Sequence, residues 1–488
     1  MSKKNLLTAA VLAFSSMSAM AGGLLTNTNQ NAAYVRMMSQ GAIIDITGLY
    51  FNPAGTAFLS NGWHLSLNSQ SAWQQRNIET TFPLFAKNTA TPGNATHLFE
   101  GKAKAPVIPS FQLSYNKDKW SVNANFSLGG GGGKCTFGSG LGTFETLYSA
   151  ALENKAPGMM PTVMTGILMQ EMGLDAVTAN AIGATAQYKG YNLDSELSGR
   201  SYYFGLQLGA TYKFMDNLAG FVGLRGVYAT CNYTGHVNPT VAYSYTHPMA
   251  GVQNGDRAFT DANLSLDCDQ STFGITPIIG VDYKINEHWN VAAKYEAPTK
   301  MELKNSSTIE AGSMVAPMLV GNATIEKFAD GNKVREDIPG MLTLGAQYSP
   351  IEKVRVNGTF NAYFDKSAKK YNDDQKLIDK NTWEISLGAE YDVCKLVTVS
   401  ASWQNTNYGL SDAAMNDLSF NLSNNMVGLG LRVNAAKWCS IDLGYMHTFY
   451  QDRTVKSEVA LAPTVSLPKT DNYVRKNDVF GIGVNLHF

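Results

Sequence analysis

The sequence is short of charge. Only 16% of its 488 residues are Asp, Glu, Lys or Arg, against roughly a quarter in a soluble globular protein. Neither sign is in excess, because the formal net charge is −1, so nucleic acid is not an expected partner. Long apolar runs are also missing. Mean hydropathy is −0.15, and beyond the N-terminus nothing approaches the roughly 18 apolar residues of a membrane helix. This excludes a bundle of membrane helices. Cysteine is sparse: Cys135, Cys231, Cys268, Cys394 and Cys439. The number is odd, so they cannot all pair within one chain, and none stands in a C-x-x-C or at zinc-ligand spacing. No metal or other cofactor is expected. The seven histidines are scattered, with no H-x-x-H and no evident Ser-His-Asp arrangement, so the chain does not read as an enzyme.

What is present is aromatic and small. There are 23 Tyr, 22 Phe and 45 Gly. Low charge, many aromatics and many glycines favour a large β-structure, specifically a membrane barrel. From residue 62 onward the pattern is two-residue alternation. In "VFGIGVNLHF" Phe480, Ile482, Val484, Leu486 and Phe488 share one face, while Gly481, Gly483, Asn485 and His487 share the other. In "NTWEISLGAEYDV" the second face carries Glu384, Glu390 and Asp392, which no dry core would accept but a wet lumen would. The alternation predicts strands over 62–80, 109–116, 119–129, 199–213, 217–234, 271–284, 288–304, 337–349, 353–366, 381–392, 396–406, 424–434, 438–451 and 476–488. That is about fourteen, an even number as bacterial barrels require. Short connections alternate with long ones, the asymmetry of short periplasmic turns and long outer loops. Cys231 and Cys268 fall at the outer ends of adjacent predicted strands, the layout that favours them as a pair.

The ends and one loop are distinctive. Residues 1–21 read as an export signal: Lys3 and Lys4, the apolar "LLTAAVLAF", then Ala19-Met20-Ala21. Residues 22–61 form a separate segment before the barrel at 62–488. Its stretch "GAIIDITGLYFNPAG" is apolar but broken by Gly41, Gly48 and Gly55 and closed by Asn52-Pro53, so it reads as a turn-rich plug. The long loop 130–198 is partly helical, with Asp175 placed to cap a helix from Ala176. Met159, Met160, Met164, Met169 and Met172 either pack a helical hairpin or offer an adaptable surface for greasy ligands. Before that loop stands "LGGGGGK", 128–134. It is either a flexible loop entry or a break in strand pairing at Gly129, Gly130 and Gly131.

The plug stretch resembles the N-terminal hatch of the FadL/TodX family of outer-membrane transporters for long-chain fatty acids and other hydrophobic compounds. The matching elements are Gly41-Ala42, Asp45, Gly48 and Asn52-Pro53-Ala54. "FGITPIIGVDYKI" (273–285), "YEAPTKMELK" (295–304), "IPGMLTLGAQY" (338–348) and "LGYMHTF" (443–449) are similar to the family's sixth, seventh, eighth and thirteenth strands, and Phe488 to its terminal aromatic. The resemblance implies an all-β, fourteen-stranded antiparallel transmembrane barrel in the bacterial outer membrane, with a hatch in its lumen and a helical extracellular loop. It implies a hydrophobic small-molecule ligand, taken up at the outer loops and released by passive diffusion through a gap in the wall at the third strand. Movement of the N-terminal segment would open that route. The barrel would be a monomer in outer-membrane lipid, delivered by the assembly machinery that reads Phe488. The chain departs from the family in two places. Its helical loop follows the third strand instead of the fifth, and Val227-Tyr228 is followed by "ATCNYTGH", without the family's basic residue.

An acid-bearing apolar ligand needs lumenal cations. Alternation turns Arg225, Lys294, Lys300, Lys304, Arg355 and Arg432 inward, with Arg225 and Lys300 the first choices to meet ligand. The plainer reading for each is an ion pair between strands, with Glu296, Glu302, Glu384, Glu390 and Asp442 as partners. Asp45 is expected to pair with a lumenal cation, and Asn52 to hydrogen-bond to the wall. A different class of function stays open: a surface barrel that binds a host, phage or haemin-type ligand without transporting fatty acids.

Overall fold

The computed structural model describes residues 30–315, 327–417, 420–462 and 464–488. The export signal and residues 22–29 of the plug lie outside them. β1 (Gly62–Thr81), β2 (Thr96–Lys117), β3 (Trp120–Phe137), β4 (Gln187–Met215) and β5 (Leu218–His247) follow one another around the wall. β6 (Gly251–Ala258) is an outer flap on β5, and β7 (Leu264–Lys284) pairs with β5 below it. β8 (Trp289–Glu296) and β9 (Glu302–Ala311) both pair with β7, as lower and upper halves of one broken strand. β10 (Lys333–Arg335) and β11 (Met341–Ile351) answer them in the same way. The wall continues through β12 (Val354–Tyr363), β13 (Trp383–Asp392), β14 (Val397–Asn407), β15 (Asn424–Ala436) and β16 (Cys439–Tyr450). β17 (Arg453–Ala462) pairs with the upper part of β18 (Val465–His487), and β18 closes the sheet on β1, with His64 opposite His487. The result is the expected ring of 14 antiparallel strands.

The burial pattern is the reverse of a soluble protein's. Ser66, Asn68, Gln112, Asn125, Gln207, Thr211 and Ser386 are buried, whereas Leu67, Leu206, Leu208, Val222, Leu224, Leu387 and Leu429 are exposed. Polar residues face a filled lumen and apolar ones face outward, where only lipid would cover them. Exposed aromatics form two girdles. Trp63, Tyr115, Trp120, Trp289 and Trp438 mark the lower one, and Trp73, Tyr228, Phe273, Trp403 and Tyr445 the upper one. Trp63 and Trp73 lie about ten residues apart on one strand, the span of a tilted membrane strand.

Several strands far outlast that span. β4 has 29 residues and β5 has 30. Much of what alternation assigns to long outer loops is therefore strand, and the upper wall encloses a second, apolar core. Phe82, Phe85, Phe99, Phe137, Leu141 and Phe144 pack there with Tyr191, Phe420 and Tyr473. Helices α1 (Ala32–Arg36), α2 (Gly142–Gln170) and α3 (Ala176–Gly183) divide between plug and cap, and the last two cover this upper core. Asp417 caps α2, accepting from Thr143 N and Oγ1 at 2.7 Å each. Asp175 caps α3 as expected, accepting from Val177 N and Thr178 N at 3.0 Å. Hydrogen bonds from Thr178 hold its carboxyl below the usual range.

Three readings need correcting. The helical loop is 138–186, because β3 continues to Phe137 and β4 starts at Gln187. The strand expected over 288–304 breaks after Glu296, where Pro298 interrupts it. Alternation resumes one residue out of phase, so Thr299, Met301, Leu303 and Asn305 are buried. Lys300 and Lys304 then face outward, and Lys300 is 68% exposed beside Glu302, so it is not a lumenal cation. Cys231 and Cys268 are not bonded. In the ladder Cys231 faces Gln270 and Cys268 faces Tyr233, a diagonal offset that a disulfide does not span without backbone movement.

Candidate functional site

The lumen below the cap is filled by residues 30–61. Three polar side chains shape this hatch by capping short helices. Asn31 accepts from Tyr34 N at 2.8 Å, Asp45 from Thr47 N at 2.9 Å, and Asn52 from Gly55 N at 3.3 Å. Pro53 fills the first helical position after Asn52, where its missing N–H costs nothing. Asn52 also donates from Nδ2 to Ile43 O (3.3 Å) and to the Asp282 carboxylate of β7. Thr211 of β4 donates to Pro53 O at 3.3 Å, and Ala54 packs on Phe221 and Ile278. The Asn-Pro-Ala turn thus fastens the hatch to β4, β5 and β7.

On the opposite side the wall presents glycines. A Cβ at Gly444 would lie 2.6 Å from Arg36 N, one at Gly428 2.8 Å from Val35 O, and one at Gly481 3.1 Å from Ala32 Cα. A Cβ at Gly345 would overlap the Gly41 carbonyl. Thr359 Oγ1 accepts from Gly41 N at 2.9 Å. Glycine in both surfaces lets backbone lie directly on backbone.

The floor of the hatch is a charge network. Arg36 meets Glu390 (2.6 Å) and Asp442 (3.0 Å), and Arg432 meets Asp442 (2.8 Å) and Asp45 (2.7 Å). Arg355 bonds Glu390 (3.1 Å) and Asp392 (2.7 Å). Arg36, Asp45, Arg355, Glu390, Asp392 and Arg432 line a polar vestibule of about 830 Å³ at the lower mouth of the barrel, together with Lys284, Asn286 and His288. Asp45 has the cationic partner expected of it. Arg355 belongs to this floor, below the hatch and away from the upper lumen.

Higher in the lumen Arg225 and Lys294 converge on Glu296. Arg225 is bidentate to the carboxylate at 2.6 and 2.9 Å and takes Gln207 Oε1 at 2.8 Å. Lys294 donates to Glu296 at 2.7 Å and to the Tyr50 carbonyl at 2.7 Å. The Tyr50 ring lies 4.7 Å from Arg225 Cζ and 4.3 Å from Lys294 Nζ. Two cations on one carboxylate leave one positive charge in excess, held against a hatch aromatic.

Beside this cluster the wall is incomplete. β2 and β3 pair from Lys117 to Phe111 and again above Lys104, but the ladder lapses between, across 105–110 and 127–133. β3 also slips register against β4 between Leu128 and Gly130 and between Gly131 and Gly133, two bulges within the glycine run. The run therefore continues β3 instead of ending it. Gly131 has φ +73°, a backbone state that glycine adopts freely. Ala105, Ile108 and Leu128 line the gap with Ala72, Tyr202 and Phe204. Behind it lies a cavity of about 20 Å³ that touches Gly129, Gly130, Arg225 and Glu296, room for about one water. Gln30 of the hatch spans the gap's lower edge: its carbonyl accepts from Gln112 (3.2 Å) on β2 and its Oε1 from Ser127 (2.5 Å) on β3.

In the cap, Met160 and Met164 are buried in α2's packing face. Met159 is partly buried against the same core, and Met169 and Met172 are exposed. Phe488 is exposed at the sheet's closure, where its backbone pairs with Trp63. Sequence reasoning missed Arg36, Gln30 and the wall glycines as functional parts. It could have found the gap from Pro106 and Pro109 in β2, since proline inside a strand signals lost pairing.

No family model matches the sequence, and no curated protein matches it. Solved structures do match in shape. A Pseudomonas aeruginosa FadL homologue superposes with a TM-score of 0.64 at 14% identity, over 96% of this chain and 100% of its own. The P. putida toluene transporter TodX does so with 0.52 at 13% identity, over 97% and 99%. The Ralstonia pickettii toluene transporter TbuX does so with 0.50 at 12% identity, over 97% and 99%. The architecture is thus that of the FadL/TodX barrels, in agreement with the hatch motif.

Proposed function

We propose that this barrel carries hydrophobic small molecules across the bacterial outer membrane by gated passive diffusion, with long-chain fatty acids as the leading class. The observation that carries the reading is the gap between β2 and β3, which opens an apolar-lined wall next to a plugged lumen. The axial route favours the same exit. A greasy molecule leaving downward would cross the Arg36, Arg355 and Arg432 floor, whereas one leaving sideways meets Ala105, Ile108 and Leu128. Met159 and Met169 at the helical cap would take part in capture, and Met160 and Met164 would keep that cap packed. Arg225 and Lys294, with their spare positive charge, would steer an acid head, and Gly129, Gly130 and Gly131 would form the lateral gate. Phe488 would serve assembly of a monomeric barrel into outer-membrane lipid.

The test is to delete Gly129 and Gly132, the two bulge positions, so that β3 regularises against β4. Uptake of labelled oleate and of a simple aromatic should fall towards that of a strain lacking the gene, while the barrel still runs as a heat-modifiable folded band. Unchanged uptake would sink the lateral exit. Unchanged uptake of every apolar compound in the gene deletion itself would sink transport. It would leave the surface-receptor reading, which the tall closed cap otherwise favours.

A further inference from the structure

The outward face above the wall gap carries a row of cations. Lys104 of β2 stands opposite Lys134 of β3 in the ladder, and Lys134 stands opposite Arg200 of β4. All three are exposed, and none has an ion pair among the described residues. Neighbouring strands lie about 5 Å apart, so the row spans only about 10 Å of backbone. Like charges directly opposite one another destabilise a sheet. Lys102, the next outward residue of β2, is different, because Glu100 answers it at 3.3 Å. On the far side of the barrel the same level is neutral. There Asn425 of β15 accepts from Trp403 at 3.2 Å and from Asn405 at 3.1 Å, both on β14.

The row lies at the upper edge of the membrane span. Lys104 is opposite Trp73 of the upper girdle. The short turns lie at the other end, so this is the headgroup level of the outer leaflet. Below the cations the surface is greasy. Val107 is 66% exposed. Stacked rings cross the three strands from Phe111 to Phe126, Phe204 and Tyr202, with successive centroids 5.8, 6.3 and 5.7 Å apart. The run ends beside Arg200, whose Cζ lies 6.0 Å from the Tyr202 centroid. Cations above an apolar strip match a lipid with anionic groups above its acyl chains. We propose that Lys104, Lys134 and Arg200 dock the phosphate groups of an outer-leaflet glycolipid of the lipopolysaccharide type. Its acyl chains lie on Val107 and the ring stack, across the mouth of the gap. A lipid held there covers the lapsed β2–β3 ladder from outside. The site depends on the barrel's outer-membrane setting and not on what the barrel carries.

The experiment titrates the purified barrel, in a neutral detergent, with lipid A, read by native mass spectrometry. Wild type should bind one lipid A. The triple variant Lys104→Gln, Lys134→Gln, Arg200→Gln should bind it roughly a hundred-fold more weakly, about five-fold for each charge. A matched variant that replaces Lys353, Lys395 and Lys437 with Gln, all exposed in the lower turns, should bind as wild type does. Dephosphorylated lipid A should bind wild type as weakly as lipid A binds the first variant, and inorganic phosphate should not displace the lipid. A second measurement needs no variant: in the wild-type barrel, lipid A should protect Lys104 and Lys134 from acetylation and leave Lys353 reactive. Equal losses in the two triple variants, displacement by phosphate alone, or unprotected Lys104 and Lys134 overturn the lipid site. Each of those results leaves the transport reading standing, since that reading falls only on uptake.

Discussion

On the β11–β18 side of the barrel, glycines face inward and the hatch backbone lies on them. On the β2–β4 side, glycines stand in the wall itself and little lies on them. A Cβ at Gly345 or Gly444 would strike the hatch, whereas the nearest atom to a Cβ at Gly129 is the Tyr203 carbonyl oxygen, 3.8 Å away. In the first case the missing side chain creates a contact. In the second, with bulges on one edge and a lapsed ladder on the other, it removes one. The plug is held where the wall is regular, and the wall is open where the plug touches it lightly, through Gln30.

The largest effect expected from breaking this contrast is at Gly345. Gly345→Val puts bulk where the Gly41 carbonyl sits, and overpacking of this kind typically costs about 1–3 kcal/mol. The barrel wall should still assemble, because β11 accepts valine readily, but the hatch should unseat. Single-channel conductance in planar bilayers, and sensitivity of cells to large hydrophilic antibiotics, should both rise. A variant as tight as wild type would show that the seat does not depend on backbone contact.

How much of this could be read from the sequence differs between the two regions. The ring of strands was legible wherever one face meets lipid, because lipid imposes strict alternation; "VFGIGVNLHF" shows it, Gly481 and Gly483 included. What those glycines seat was not legible, since their partners Ala32 and Val35 lie more than four hundred residues away in the chain. The hatch turn was legible because Asn52 and Pro53 act locally. The upper strands were obscured because both of their faces pack or meet water, so alternation there carries no lipid signal. Lys300 went to the wrong face because the break at Pro298 shifts the phase by one residue. Their place at the outer ends of adjacent strands favoured a Cys231–Cys268 pair, which the two-residue ladder offset then denies.

A smaller effect is expected on the open side. Gly131→Ala forces an alanine into φ +73° and towards the Ser201 carbonyl, a strain of about 1–2 kcal/mol. The wall should relax locally around the gap, changing the rate of oleate uptake while conductance stays at the closed level. A conductance rise like that of Gly345→Val would mean that gap and seat are one mechanical unit, and the contrast between them would fail.

The smallest effect tests whether charge or packing holds the hatch. Asp45 and Arg432 are partly exposed, at 27% and 17%, and Arg432 retains Asp442 when Asp45 is removed. Their coupling should therefore be modest, about 1 kcal/mol or less, in a double-mutant cycle of Asp45→Asn and Arg432→Gln. Hydrogen exchange of the hatch amides reads it, and added salt should shrink it. Arg36 is 3% exposed and touches both Glu390 and Asp442, so Arg36→Gln should accelerate the same amides more and with less dependence on salt. If Asp45 and Arg432 instead couple as strongly as a buried pair, the charged floor shares the work now assigned to the glycines. The hatch would then be released by whatever neutralises that floor, and acid or high salt on the periplasmic side alone should open it.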